Sequence, residues 1–218
     1  MEHIAFSSKD QRFSIIAGFF IGVLCLPVIK TAWPHLYDVL SILAIPFFLL
    51  SVPFGLFIAR KISAKIPFIW QVAKFGVIGV LNTFVDLGAL SLLIFLMNTS
   101  MGIDQTVPVI AGVTFFSYYT LSKSLSFLFA NINSYYWNKY WTFENYTARK
   151  TSSEFMQFFT VSIIGFIVNV SVSSAIFSLF HPVLGFSVGQ WGLIGALSGT
   201  LSGLLWNFVG YKFIVFKK

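Results

Sequence analysis

Long apolar stretches alternate with short polar or basic clusters along the whole chain. The stretches run from Phe13 to Ile29, Leu36 to Ala59, Phe75 to Met97, Val107 to Ala130, Phe155 to Phe180 and Gly189 to Tyr211. Each is long enough to cross a hydrocarbon layer of about 30 Å as a helix. None shows the alternation of a barrel strand, and a backbone in lipid must satisfy its hydrogen bonds within its own segment. The pattern therefore predicts an all-α, polytopic membrane helix bundle with about six transmembrane helices. Lys9 and Arg12 precede the first stretch as they would in a signal peptide, but Lys30, Trp33 and Pro34 stand where a small-residue cleavage site belongs. The first two stretches are thus expected to form a retained hairpin, kinked in its second helix by Pro46 and Pro53.

A ten-residue pattern occurs twice, at Ser134 to Phe143 and at Asn207 to Phe216. Aligned without gaps, the copies share an aromatic residue at 135/208, a lysine at 139/212, an aromatic residue at 140/213 and a phenylalanine at 143/216. The segments that open the two units also agree, Gln71 to Gly79 against Gln157 to Gly165. One hydrophobic hairpin is read as duplicated, giving parallel repeats over about 70–143 and 155–216 within a four-helix domain of residues 70–218. Residues 1–65 have no counterpart and read as an added N-terminal transmembrane hairpin.

Composition and charge sharpen this reading. Of 218 residues, 57% are hydrophobic and 10% charged, with mean hydropathy +0.84, whereas domains that face water carry nearer a quarter charged residues. Arg60, Lys61, Lys65 and Lys74, then Lys139, Arg149 and Lys150, then Lys212, Lys217 and Lys218 cluster at alternate ends of the stretches, and the opposite loops hold only Lys30 as a cation. By the positive-inside rule both termini are expected in the cytoplasm. The net charge of +7 follows from that topology and from attraction to anionic lipids, and requires no nucleic acid. The single Cys25 excludes an internal disulfide.

The run from Lys74 to Asp86, with Asn138 to Phe143 and Lys212 to Phe216, resembles the GtrA-like family of small membrane proteins over about residues 70–218. The resemblance implies a four-helix inner-membrane protein of cell-surface polysaccharide synthesis that flips a polyprenyl-phosphate-linked sugar. The chain departs from that pattern in its N-terminal hairpin and in Tyr211, where the first copy has Asn138.

Several polar residues interrupt the apolar stretches. Asp86 lies about 18 Å along a helix from Lys74, near mid-bilayer, where an unpaired carboxylate is untenable. Lys123, on the returning helix, is the natural partner, and Asn82, four residues before Asp86, shares its face. The pair serves either as a lock between helices or as part of a headgroup path. Lys139 and Lys212 serve either as interfacial anchors or, with Asn138, Arg149 and Lys150, as ligands of a lipid phosphate. His3, His35 and His181 lack metal-spaced partners, so a non-enzyme without cofactors is expected. Its expected partners are a polyprenyl-phosphate-linked sugar, membrane lipids, a membrane glycosyltransferase and a second copy in a homodimer. Besides flipping, a non-transporting adaptor for the glycosyltransferase and a small proton-coupled exporter using Asp86 remain open.

The topology has a direct test. Single cysteines introduced at positions 3, 104 and 147 are expected to react with an impermeant reagent from outside only at 104, and reaction at 147 would reverse the orientation.

Overall fold

The computed structural model describes residues 6–104, 106–110, 117–144, 151–180, 182, 185 and 188–217. These residues form helices α1 (Ser8–Leu24), α2 (Leu26–Ala32), α3 (Tyr37–Ser63), α4 (Phe68–Met101), α5 (Tyr118–Trp137), α6 (Thr151–Leu179) and α7 (Val188–Gly210). A 3-10 turn, Pro34–Leu36, precedes α3, and five-residue π-helical turns, Asn138–Thr142 and Tyr211–Val215, extend α5 and α7. No strand occurs among the described residues. Among the described residues four segments are long and apolar enough to span a bilayer: Ser8–Lys30, Pro34–Ser63, Phe68–Met101 and Ser152–Val172. Large apolar side chains face outward, Ile42 74% and Leu50 73% exposed, a surface that only lipid covers without penalty. The protein is a polytopic helical membrane protein.

Local chemistry sets the helix ends. Ser7 caps α1 by accepting the Asp10 backbone N–H at 3.1 Å, while its hydroxyl donates to the Asp10 carboxylate, a reciprocal cap that fixes the first turn. Pro27, near the start of α2, follows the break at Cys25. α3 continues through Pro46 and Pro53. α4 stops at Gly102, whose φ of 65° suits a residue without a Cβ. Beyond it, the Asp104 carboxylate accepts the Thr106 backbone N–H and hydroxyl, each at 2.8 Å, which holds its pKa below the usual carboxylate value.

The fourth helix departs from expectation. The apolar run suggested Val107 to Ala130, but α5 and its π-turn occupy Tyr118 to Thr142. Polar residues that ended the apolar run are carried inside the helix because they bond back to it: the Asn131 amide donates to the Phe127 carbonyl at 2.9 Å, and Asn138 to that of Ser134 at 2.9 Å. Lys74 differs too. Counted from sequence among the cytoplasmic cations, it is 1% exposed.

The chain divides into two compact units, Met1–Thr142 and Phe143–Lys218. In the first, α1 packs on α3 and α4, and α4 on α5. Gly18 and Gly22 permit the α1–α3 approach, since an added Cβ at Gly18 would stand 2.3 Å from the Phe48 carbonyl oxygen. The hairpin also grips the first repeat through polar atoms. The buried Asp10 accepts the Trp141 indole N–H at 3.0 Å and lies 3.6 Å from the Lys74 ammonium. Lys9 donates to the Tyr140 carbonyl at 2.9 Å. Phe13 stacks on Trp141, their ring centres 5.7 Å apart. In the second unit α6 and α7 pack closely at Gly165 and Gly203, where a Cβ on Gly203 would come within 2.8 Å of the Gly165 carbonyl.

Asp10 is the test of this packing. Asp10→Asn leaves Lys74 charged and buried, and should lower stability by about 3–5 kcal/mol. Pairing it with Lys74→Met should recover most of that loss in thermal melts of the purified protein, whereas additive losses would show that the two charges do not couple.

Candidate functional site

The Asp86–Lys123 pair predicted from sequence forms. Asp86 is the nineteenth of the 34 residues of α4, close to the middle of a helix about 51 Å long. The Lys123 ammonium donates to one carboxylate oxygen and the Ser126 hydroxyl to the other, the latter at 2.7 Å. Ser126, which sequence reasoning missed, sits three residues from Lys123 on the same face of α5, and that spacing could have identified it. The side chains of Lys123 and Asp86 are 41% and 22% exposed. The pair therefore borders the surface of the α4–α5 seam and is open to a polar group from outside. One turn before Asp86, the buried Oδ1 of Asn82 has no hydrogen-bond partner among the described residues, so it remains an acceptor for a hydroxyl.

Asp86 lies near the middle of its helix, but the ruler used to place it changes. It was counted from Lys74 as a residue at headgroup depth. In the structure α4 begins at Phe68 and Lys74 is enclosed with Asp10.

The repeated decapeptide acquires a shared geometry. Its copies end in π-turns at matched positions, Asn138–Thr142 and Tyr211–Val215. Such turns are uncommon and frequent at functional sites, since they open the backbone ladder. In each copy the lysine lies over the aromatic ring four residues before it and over the ring that follows. The Lys139 ammonium stands 5.4 Å from the centre of Tyr135 and 5.8 Å from that of Tyr140. Lys212 stands 5.7 Å from Phe208 and 5.5 Å from Phe213. Lys139 also donates to the Tyr135 hydroxyl at 3.1 Å and is 3% exposed. A snorkelling anchor holds its ammonium in water, and Lys139 does not.

The residue before each lysine makes the copies unlike. Asn138 is buried and spends its amide N–H groups on the Ser134 carbonyl and hydroxyl, at 2.9 and 3.2 Å. Its Oδ1 has no partner among the described residues. What it offers a ligand is an acceptor, suited to a sugar hydroxyl and not to phosphate. In the second copy Tyr211 stacks on Phe158, ring centres 4.1 Å apart, and shares a hydrogen bond of 2.7 Å with Ser162. Aromatic packing fills the place of the first copy's polar group. Arg149 and Lys150, the remaining predicted phosphate ligands, lie outside the described residues. Among the described residues no group of three His, Cys, Asp or Glu could hold a metal ion.

Comparison with known proteins places this geometry. The family described as "GtrA/DPMS, transmembrane domain" matches residues 74–216, a span that includes the ion pair and both π-turns. An uncharacterized membrane protein of Bacillus subtilis (strain 168), YngA, is 26% identical over 163 residues, covering 74% of this chain and 86% of its own length. No solved structure matches.

A double-mutant cycle reports whether the pair is coupled. Because it is partly open, Asp86→Asn and Lys123→Met should each lower stability by about 1–3 kcal/mol, and the double substitution should recover most of that loss. Two losses that simply add would separate the charges energetically.

Proposed function

The chain belongs to the GtrA/DPMS transmembrane-domain family, and from that membership and its polar seam we propose that it flips a polyprenyl-phosphate-linked sugar across the inner membrane. The observation that carries the reading is the Asp86–Lys123 pair, half-open at the middle of α4 with the unpartnered Asn82 oxygen one turn away. A sugar needs hydrogen-bonding groups in a place where lipid offers none. The neutral pair presents a donor and an acceptor together without leaving a net charge in hydrocarbon. The polyprenyl tail stays in lipid, so only the headgroup has to be solvated by protein.

Two steps are assigned to residues. Lys139, held between two aromatic rings, engages the phosphate by a charge-assisted hydrogen bond, and Asn138 accepts from a sugar hydroxyl. The headgroup then passes along Asn82, Asp86, Lys123 and Ser126. Lys212 is a weaker counterpart, since Tyr211 and Phe158 occupy the volume beside it. Family membership supports a membrane role in polysaccharide or glycosylation pathways, and the transport step is our addition to it.

Liposomes containing the purified chain and a fluorescent polyprenyl-phosphate sugar test this. Wild type should expose the internal lipid to an external reagent faster than protein-free liposomes. Lys139→Gln should slow the rate about tenfold or more, the loss of one charge-assisted hydrogen bond, and Lys212→Gln less. The Asp86→Asn, Lys123→Met double variant should fold yet fail to flip. Rates equal to those of empty liposomes would leave the chain as an adaptor for a glycosyltransferase, and acceleration only under a pH gradient would favour proton-coupled export.

A further inference from the structure

A groove of about 320 Å³ lies along the seam of α3 and α4, with Ile21 of α1 also lining it, and neither the ion pair nor the π-turns are part of its lining. Ser51, Gly55 and Leu56 line it on α3, and Ala73, Gly76 and Val77 on α4. A Cβ built on Gly55 or Gly76 would meet nothing within 4 Å. Unlike Gly18 and Gly22, these glycines leave width open to the outside, where both are exposed.

The two helix faces that line the groove run on to one charged end. Arg60 follows Leu56 by four residues, and Trp70 precedes Ala73 by three, so each lies on its groove-lining face. There the Arg60 guanidinium lies 5.1 Å over the Trp70 ring, and Lys74 lies 5.1 Å over the same ring. Lys74 has its carboxylate in Asp10. Arg60 is different: its Nε is buried without a hydrogen-bond partner among the described residues. A guanidinium with no ion pair among the described residues, at the end of an apolar trough, matches an amphiphile with an anionic head and an apolar tail, and arginine is the cation best shaped for a phosphate.

We infer that the α3–α4 groove is a docking site for a polyprenyl phosphate, with the phosphate on Arg60 and the isoprenoid chain in the trough. The volume lies at the small end of ligand cavities and takes a length of one chain, not two side by side. The space left at Gly55 and Gly76 receives the methyl branches. The choice of polyprenyl over another single-chain phosphate rests on the proposed function. The site itself belongs to the hairpin and the start of α4, and Arg60 and Trp70 lie outside the matched family span.

Native mass spectrometry of the full chain, titrated with undecaprenyl phosphate in detergent, tests the inference. Arg60→Gln should weaken binding about tenfold or more. Gly55→Leu with Gly76→Leu should do the same by filling the trough, with melting temperature recorded alongside. Undecaprenol, which has no phosphate, should lose affinity in the glycine variant and not in Arg60→Gln. Unchanged affinity for undecaprenyl phosphate in Arg60→Gln would overturn the site even if the glycine variant did not fold. So would equal binding of a two-chain phosphatidylglycerol, which would mark a furrow for bulk lipid. Retained binding without flipping in wild type would remove the proposed transport and leave this site in place.

Discussion

A carboxylate taken out of water has to be neutralised and hydrogen-bonded, and in the first unit a single carboxylate, that of Asp10, meets this requirement with partners from three parts of the chain. Lys74 at the start of the first repeat supplies the charge, Trp141 in the π-turn an indole N–H, and Ser7 a hydroxyl from the preceding turn. None of these partners could be lost without leaving a buried polar group exposed to a low-dielectric interior. The N-terminal hairpin, added in sequence, is therefore integral in structure: its first turn orients the helix that carries Asp86 and the turn that carries Lys139. The seam and the groove are both built on α4, and both depend on where Asp10 holds it.

The π-turns show how a duplicated motif can keep its frame and change its contents. Both copies widen the helix at the same place and hold a lysine between the same two aromatic positions. The first is finished by groups from elsewhere, with Lys9 on the Tyr140 carbonyl and Asp10 on the Trp141 indole. The second is finished from within, by the Phe216 N–H on the Tyr211 carbonyl at 2.8 Å and by the ring of Tyr211 against Phe158. Each copy keeps a buried amide oxygen without a hydrogen-bond partner among the described residues, but in the first it lies within the π-turn, at Asn138, and in the second ahead of it, at Asn207.

The sequence carried some of this plainly and concealed the rest for definite reasons. Apolar runs locate spans because lipid selects for them, and depth arithmetic paired Asp86 with Lys123 because rise per residue is constant along a helix. The same hydropathy signal misplaced the fourth helix, since Asn131, Ser134 and Asn138 lower it although they hydrogen-bond within the helix. Lys74 was counted among the cytoplasmic cations, and its burial was not foreseen because its partner is 64 residues earlier in the chain, beyond any local pattern. The π-turns left a trace, the repeated decapeptide, but a one-residue widening of the backbone has no spacing rule that would have named it. Ser7 and Asp10 were not singled out in the sequence, since nothing local tells that this capping acid also meets a lysine and a tryptophan.

Two aspartate–lysine pairs in one unit allow a comparison that neither allows alone. Asp10–Lys74 has side chains 8% and 2% exposed, and Asp86–Lys123 has 22% and 41%. A closed pair is fully committed: its desolvation is complete, its remaining valences are met by Trp141 and Ser7, and a ligand gains nothing by approaching it. An open pair retains unsatisfied directions on both its ammonium and its carboxylate, and in a bilayer those directions face a medium that cannot fill them. Such a pair is stable only if it tolerates partial solvation or is met intermittently by a polar group. The same two residue types thus form a closed lock between α1 and α4 and, in the middle of α4, a pair with room for a further polar partner.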